Sequence, residues 1–400
     1  MPKYSSLSPI LNVIIVIASV AASSCQKTDL TTPIAEAQEK PAALAKLPAS
    51  EETITIAAVG DIMLGSTSIN DSFLPPNDGR DILKAVTPEL SSADITFGNL
   101  EGPMLEGGKS EKCADTTTTP KNEINIKPSP SPAKPATPPK PVRCFAFRVP
   151  TRYGKYLKDA GFDVMSLANN HASDFGELGR ISTRKVLDDL GIKHAGSDRD
   201  KYSTTIFEVR GKKIAFVGFA HNAISPNVNE VDAAKLLVAA ARKKADIVVV
   251  SFHGGAEGEG AQNVPRQTEI FVGEKRGNLP LFTHAVIDAG ADLVLGHGPH
   301  VLRGMEVYKD HLIVYSMGNF ATYGMFNLKG VQGISAIFNI TLRTDGKFSA
   351  AKIIPVKQEG RGGPVPDPSG AAIRKLQALS NSNFGAAAPK IGDDGTISIK

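Results

Sequence analysis

Short runs of β-branched and aliphatic residues alternate with amphipathic segments along the chain from about residue 53 onward. Such runs are typical of buried strands, and six of them predict strands, at residues 53–59, 94–97, 163–167, 213–219, 246–252 and 292–295. Before the fifth run, residues 232–245 carry their apolar side chains on one stripe, which predicts an amphipathic helix. This alternation indicates an α/β fold with parallel strand pairs.

Turn residues between other apolar runs predict β-hairpins. The signals lie at Gly211, at residues 309–310 and at residues 345–346. Parallel units mixed with hairpins indicate one large mixed sheet, or two sheets packed face to face with helices outside. The folded domain is expected at residues 51–358. Residues 359–400 are rich in Gly, Pro and Ser and are expected to form a tail with one short helix near residues 371–382.

The N-terminus has the layout of an export signal. Lys3 precedes an apolar run at residues 10–22, and small residues lead from there to Cys25. The run is shorter than the roughly 20 residues that a membrane span needs. A Cys after small residues resembles the lipobox of bacterial lipoproteins, with an uncleaved anchor or a secreted form as alternatives. We therefore expect a signal at residues 1–25, a flexible tether at residues 26–50, and an exported protein anchored in the bacterial cell envelope by a lipid on Cys25.

A Pro/Lys-rich segment interrupts the predicted domain. Eight prolines between Pro120 and Pro141 exclude regular structure, so a disordered insertion is expected at about residues 106–143. Cys113 and Cys144 flank this segment. A disulfide between them would stabilise the domain by about 3–4 kcal/mol in the chain-entropy treatment. Two unrelated thiols are the alternative.

The charge of the chain excludes one class of partner. It has 45 basic and 41 acidic residues, a formal net charge of +4. Because no dense basic stripe or interleaved aromatic set accompanies this charge, a nucleic-acid partner is not expected.

Polar side chains follow five of the six predicted strands. In open α/β sheets the carboxyl ends of the strands form the ligand crevice, so these side chains should meet in space. Carboxylates, imidazoles and an amide together form a mixed N/O ligand set that suits a divalent Mn, Fe, Zn or Co ion. Each residue taken singly also has an ordinary structural explanation, and His221, His284 and His311 are interpreted as structural. The residues at the strand ends are Asp61, Asn99, Glu101, Asn169, Asn170, His171, His253, His297 and His300.

Several motifs resemble a known family. They are "VGDIMLG", "FGNLEGP", "SLANNHASDFGELG", "SFHGGAEG", "DAGADLVLGHGPHVLRGMEVY" and "VYSMGNF", which span about residues 53–355. Together they resemble the CapA-type poly-γ-glutamate capsule biosynthesis proteins, which are similar to calcineurin-like metallophosphoesterases. The resemblance implies a four-layer α/β/β/α sandwich.

The resemblance also implies roles for individual residues. Asp61 would ligate one metal, Glu101 would bridge two, Asn170 and His253 would ligate the second, and His297 and His300 would divide between them. His171 would protonate the leaving group or stabilise the transition state, with Asp174 orienting its imidazole. Such a centre would activate water and neutralise developing charge.

The sequence departs from the phosphoesterase pattern in three places. Met63 stands where those enzymes carry a His, Glu101 replaces an Asp, and residues 298–299 lengthen the spacing of the last two histidines by one residue. These departures therefore predict one firm metal site and a second site that is weak or empty.

Two functions from different classes follow. The first is a cell-envelope, metal-dependent hydrolase or transferase that acts on a phosphoester or on an amide-linked anionic polymer. The second is a non-catalytic, membrane-tethered component that binds or exports poly-γ-glutamate with membrane-bound capsule-synthesis partners. In the second case the basic insertion would contact the polyanion.

Overall fold

The computed structural model describes residues 53–113 and 144–400. The predicted export signal, the tether and most of the Pro/Lys-rich insertion lie outside the described residues. Within those two ranges, the longest helices are too short or too polar to cross a bilayer.

The strand and helix bounds are as follows. The strands are β1 Thr53–Met63, β2 Ile95–Leu100, β3 Val164–Ser166, β4 Lys193–Ala195, β5 Thr204–Val209, β6 Lys212–Ala220, β7 Ile247–His253, β8 Glu269–Phe271, β9 Glu274–Gly277, β10 Leu293–His297, β11 Met305–Tyr308, β12 His311–Val314, β13 Asn319–Thr322, β14 Ile334–Arg343, β15 Phe348–Gln358, β16 Pro364–Pro366, β17 Lys390–Ile391 and β18 Thr396–Ser398. The α-helices are α1 Thr87–Leu90, α2 Gly154–Asp159, α3 Gly176–Asp189, α4 Val231–Arg242, α5 Leu279–Asp288 and α6 Ala371–Phe384.

These strands form two large mixed sheets. In the described ranges the first sheet has the order β17-β18-β15-β14-β1-β2-β3-β4, with β13 beside β1 and β16 beside β15. The second has the order β11-β12-β10-β7-β6-β5, and β8 and β9 form a separate hairpin. Each of the six apolar runs lies in a strand, and β1 to β4 are parallel to one another, as are β6, β7, β10 and β12.

The three turn signals also form hairpins. They connect β5 to β6, β11 to β12 and β14 to β15. Lys309 and Asp310 both adopt positive φ, at 51° and 66°, the conformation that a two-residue hairpin turn requires.

The layers are defined by three apolar clusters. One lies between the two sheets and combines residues of both, such as Phe97 from β2 and Phe216 from β6, whose rings stack with centroids 5.5 Å apart. A second covers the outer face of the first sheet with α1, α2 and α3, and a third covers the outer face of the second sheet with α4 and α5. The order helix, sheet, sheet, helix confirms the four-layer α/β/β/α sandwich.

The segment after residue 358 is more structured than its composition indicated. The helix expected near residues 371–382 is present as α6, and its buried Ala372 and Leu376 join the cluster between the sheets. Strands β16 and β18 both pair with β15, so this segment extends the first sheet.

The start of the predicted insertion is likewise part of the fold. Both the backbone N–H and the hydroxyl of Thr151 donate to Glu106, and the backbone N–H of Glu111 donates to the carbonyl of Asp174. Residues 106–113 therefore differ from the expectation of disorder, because backbone and side-chain hydrogen bonds fix them. Cys113 and Cys144 form a disulfide.

The interface between the two sheets should dominate stability. Replacing Phe216 by Ala removes a fully buried ring that stacks on Phe97 and Phe207. The free energy of unfolding, measured by denaturant titration, should fall by about 3–5 kcal/mol. The control is Leu236→Ala on α4, which should change the free energy of unfolding by less than about 0.5 kcal/mol. The expected apolar stripe included Leu236, but its side chain is exposed, because α4 packs through Ala234, Val238 and Ala241 instead. Equal effects of the two substitutions would contradict the position of the core.

Candidate metal centre

The end of β1 places Asp61 at the meeting point of three strands. Asp61 lies opposite Asn319 of β13 and Asn99 of β2, and its backbone N–H donates to the carbonyl of Gly318 at 2.9 Å. The preceding residue must be Gly, because a Cβ at Gly60 would overlap that same carbonyl. This close approach buries the Asp61 carboxylate completely.

Asp61, Glu101 and His300 form the tightest cluster of ligand atoms among the described residues. Each offers one atom, and these atoms lie within 4.8 Å of one another. Nδ1 of His300 is 3.0 Å from Oδ2 of Asp61, and Nε2 of His300 is 3.6 Å from Oε1 of Glu101. Asp61 and His300 are 239 positions apart along the chain, and they meet as the strand-end argument predicts.

The backbone of His300 is held in an unusual conformation. Its φ is 58°, in the left-handed region that a non-Gly residue rarely adopts. The Asn319 side-chain amide donates to the His300 carbonyl at 3.2 Å, which fixes this conformation. Such strain is typical of functional sites, because the surrounding structure must hold it.

His253 and His297 come from the second sheet. They are opposite each other in the parallel register of β7 and β10, at the carboxyl ends of both strands. Nδ1 of His297 is 4.0 Å from Oδ1 of Asp61. The Asn99 amide donates to Oδ1 of Asp61 at 2.8 Å and lies 3.4 Å from Nδ1 of His253, so Asn99 connects the two sheets.

Several candidate ligand atoms in and around this cluster lack hydrogen-bond partners. Burying an unpaired polar atom costs about 1–3 kcal/mol, and more when the group is charged. A divalent cation would satisfy such nitrogen and oxygen donors together, so the residues fit a divalent metal ion. Among the described residues, the buried atoms without a hydrogen bond include Oε1 and Oε2 of Glu101, Oδ1 of Asn170, Nε2 of His253, both ring nitrogens of His297 and Oδ1 of Asn319.

Burial and mutual charge also set the protonation of these groups. Burial raises the pKa of Glu101 well above its usual range, since few positive charges compensate it. Burial would raise the pKa of Asp61 too, but the hydrogen bond and charge of His300 outweigh it and lower that pKa. Burial lowers the pKa of His297 to about 4 and that of His253 well below its usual value. Both imidazoles are therefore neutral, as metal ligation requires.

His300 behaves in the opposite way. Burial alone would lower its pKa, but the charge of Glu101 and the hydrogen bond and charge of Asp61 raise the pKa to about 10. Without a metal, the imidazolium is the cation that compensates the two carboxylates. A divalent ion would take over that role and release the proton.

The three consecutive polar residues after β3 have different contacts. They are Asn169, Asn170 and His171. The Asn169 amide donates to Asn99 and to the carbonyl of Leu100, while its Oδ1 accepts from the backbone N–H of His171. Asn169 is therefore a brace between two strand ends. The structure leaves Oδ1 of Asn170 buried and unpaired, as expected of a ligand atom.

His171 and Asp174 form a closely paired dyad. Nδ1 of His171 is 2.7 Å from Oδ2 of Asp174, and the same oxygen accepts the backbone N–H of Phe147. The Phe147 ring stacks on the imidazole with centroids 4.1 Å apart. Burial lowers the pKa of His171, so its ring is neutral. The carboxylate of Asp174 accepts a hydrogen bond from the N–H at Nδ1, so the neutral ring has Nε2 as its basic nitrogen.

Three residues near the site were missed by sequence reasoning. Asn319 stands in the quoted motif "VYSMGNF", but it begins a strand and does not follow one of the six predicted strands. Oε2 of Glu257 lies 3.9 Å from Nε2 of His300, and the Arg276 guanidinium donates to the other oxygen of the same carboxylate, Oε1, at 2.8 Å. Lys112 lies 3.2 Å from Oδ1 of Asp174. Glu257 is four residues past the end of β7 and stands in the quoted motif "SFHGGAEG", where it was passed over in favour of His253. Lys112 is on a loop twelve residues past the end of β2, so the strand-end pattern could not find it.

The histidines taken as structural do have other partners. His284 contacts Glu306, His311 contacts the carbonyl of Asp292, and His221 contacts the carbonyl of His253. His221 is nevertheless close to the site, with its ring centroid 5.9 Å from that of His253.

Comparison with known proteins identifies the family. The family described as bacterial capsule synthesis protein PGA_cap matches residues 55–323, about two thirds of the chain. The chain belongs to this family. The capsule biosynthesis protein CapA of Bacillus anthracis is 29% identical over 386 residues, covering 91% of this chain and 78% of its own length. The PGA biosynthesis protein CapA of Bacillus subtilis (strain 168) is 30% identical over 286 residues, covering 68% of this chain and 64% of its own length.

The backbone of this capsule synthesis family member is also similar to solved structures. One is a phosphatase from Mycoplasma pneumoniae, with a TM-score of 0.46 and 14% sequence identity, covering 82% of this chain and 98% of that one. The similarity is one of general chain path only.

Metal binding should depend steeply on pH. Because His300 has a pKa of about 10 in the metal-free protein, its proton must leave before the ring can ligate, and raising the pH makes that loss easier. The affinity for Mn²⁺, measured by calorimetry between about pH 6.5 and 8, should therefore rise by about tenfold per pH unit, with release of at least one proton.

The variant His300→Gln should bind Mn²⁺ more weakly and with a flatter pH dependence. The control His311→Gln, on β12, should behave like the unmodified protein. An affinity for Mn²⁺ that is independent of pH in the unmodified protein would contradict the assignment of His300 as a ligand.

Proposed function

We propose that the protein is a metal-dependent hydrolase of the bacterial cell envelope, which acts on a phosphoester or an amide-linked anionic polymer during capsule or poly-γ-glutamate biosynthesis. The observation that carries the proposal is the set of buried, unpaired ligand atoms on Glu101, His253 and His297 close to Asp61 and His300, together with the buried, unpaired Oδ1 of Asn170. Such atoms would only destabilise a purely structural core, because each buried polar atom without a partner lowers the stability of the fold.

The ligand set divides by position. Asp61, Glu101 and His300 would hold the firm site, and Asn170, His253 and His297 would complete it or hold a weaker second ion. Met63 stands where the phosphoesterases carry a His, and its side chain is buried in the apolar cluster on the outer face of the first sheet. A thioether binds hard metals poorly, which supports one firm site. Mn, Fe, Zn and Co are the candidate metals. When bound, the ion would polarise the substrate and supply an activated water molecule as the nucleophile.

The His171–Asp174 dyad supplies the acid–base chemistry. Asp174 accepts a hydrogen bond from Nδ1 of His171, so the ring keeps one tautomer and one orientation. Nε2 of His171 can then accept a proton from a water molecule and deliver it to a leaving oxygen or nitrogen. The pKa of His171 lies below its usual value because the ring is buried, and the neutral form therefore predominates at neutral pH.

The substrate class is supported by the relatives. Their names state capsule biosynthesis and PGA biosynthesis, and two further relatives from Mycobacterium tuberculosis are described as probable polyglutamine synthesis accessory proteins. A polyanion would be attracted to the cationic centre. A non-catalytic assembly component that binds such a polymer is the alternative.

The location is proposed from the N-terminal pattern. An export signal ending at Cys25, lipidation of that residue and a tether at residues 26–50 would place the domain at the outer face of a membrane. The Cys113–Cys144 disulfide supports export, because disulfides persist in oxidising compartments and are rare in the cytosol.

The test combines metal content, turnover and polymer yield. Asp61→Asn and His253→Gln should lose bound metal, and hydrolysis of a generic phosphoester or of a γ-linked glutamate oligomer with Mn²⁺ should fall by more than about 100-fold. The matched control is His311→Gln, which should retain metal and activity.

Each other result has a defined meaning. Metal-loaded protein that hydrolyses neither substrate, while the two variants still lower the polymer yield of cells, would favour the assembly component. Variants that retain full metal content and turnover would overturn the proposed site.

A further inference from the structure

The ammonium group of Lys112 lies beside the acid–base dyad. Its Nζ is 3.2 Å from Oδ1 of Asp174 and 3.4 Å from the backbone carbonyl oxygen of Asn170. It is also 3.2 Å from Nδ1 of His171, whose proton is already directed at Asp174. A positive charge therefore stands next to a proposed ligand and next to the proposed proton carrier.

The segment that carries Lys112 is anchored to Asp174. The Ser110 hydroxyl and the backbone N–H groups of Glu111 and Lys112 all donate to the Asp174 carbonyl oxygen. The backbone N–H of Cys113 donates in turn to the Ser110 hydroxyl at 3.2 Å. The chain thus wraps around one carbonyl group just before the disulfide.

The other end of the disulfide leads to the same dyad. Three residues after Cys144, the backbone N–H of Phe147 donates to Oδ2 of Asp174 at 2.7 Å, and its ring stacks on His171. The Cys113–Cys144 bond therefore joins two segments that both contact the dyad. Without this bond, the position of Lys112 would depend on a few hydrogen bonds near the surface.

The ammonium group retains binding capacity. It has three N–H donors, of which one donates to the Asn170 carbonyl, while its contact with Oδ1 of Asp174 at 3.2 Å is an ion pair without a hydrogen bond. The Lys112 side chain is 35% exposed, so solvent and ligands reach it, whereas the Asp174 side chain is fully buried. A lysine is a compact point charge that suits phosphate and carboxylate oxygens.

We propose that Lys112 binds an anionic oxygen of the substrate beside His171, and that the Cys113–Cys144 disulfide positions it there. This inference rests on the proposed function, since it assigns the anion-binding group of the same site. A phosphoryl oxygen and the α-carboxylate of a γ-linked glutamate unit share the required chemistry. The competing explanation is that Lys112 only neutralises Asp174.

The test measures anion binding to the full-length, Mn²⁺-loaded protein by calorimetry. Its two probes are inorganic phosphate and a γ-linked glutamate oligomer. Lys112→Met should weaken binding of the matching probe by about tenfold, because a charge-assisted hydrogen bond is lost, and the remaining binding should depend less on salt. Lys112→Arg should retain most of the affinity. The matched control is Lys155→Met, a surface lysine paired with Asp159, which should leave both affinities unchanged.

The disulfide is tested by the double variant Cys113→Ser with Cys144→Ser. It should weaken anion binding in the same direction, and adding Lys112→Met to it should cause little further loss, because both changes remove the same contact. A thermal melt checks that the variants fold, and the single Lys112→Met variant tests the inference if the cysteine variant does not.

Three outcomes are decisive. The inference is supported if Lys112→Met weakens anion binding and causes little further loss of affinity when it is added to the cysteine variant. An unchanged anion affinity of Lys112→Met, with only a lower melting temperature, would show that Lys112 merely neutralises Asp174 and would overturn it. Failure of the proposed function is distinguishable, because in that case Asp61→Asn would also leave metal content and anion binding unchanged.

Discussion

Buried charge without enough partners is the constraint on which the rest of this structure depends. Asp61 and Glu101 lie side by side at zero solvent exposure, and His300 is the nearest cation among the described residues. Removing carboxylates from water costs several kcal/mol each unless a cation and hydrogen bonds compensate them. The fold must therefore hold these groups rigidly, and a divalent ion is the species that best offsets the cost.

The two-sheet architecture supplies that rigidity. β1 brings Asp61 from one sheet, while β7 and β10 bring His253 and His297 from the other in parallel register. The packed cluster between the sheets fixes their separation, and Asn99 joins both sides by contacts with Asp61 and His253. Small shifts of either sheet would separate the ligand atoms, so core packing and metal chemistry are coupled.

The periphery of the site is built differently from its centre. Asp174 receives hydrogen bonds from loop segments on both sides of the Pro/Lys-rich insertion, and the Cys113–Cys144 bond closes that loop. The strand-end residues all stand in the motifs quoted above. Lys112, which precedes the disulfide by one residue, lies outside those motifs and places a positive charge beside the His171–Asp174 dyad.

The sequence by itself determined the α/β class, the six main strands, three hairpins and the metal-ligand candidates, because hydrophobic period and strand-end polarity are local signals. It left open whether Cys113 and Cys144 pair, which the structure shows. Only the tertiary structure showed that residues 364–398 extend the first sheet, that Asn319 holds the strained His300, and that Lys112 and Glu257 approach the site. These contacts join residues that are distant along the chain and lie on loops or edge strands. Their positions follow from packing of the whole domain, which no local pattern encodes.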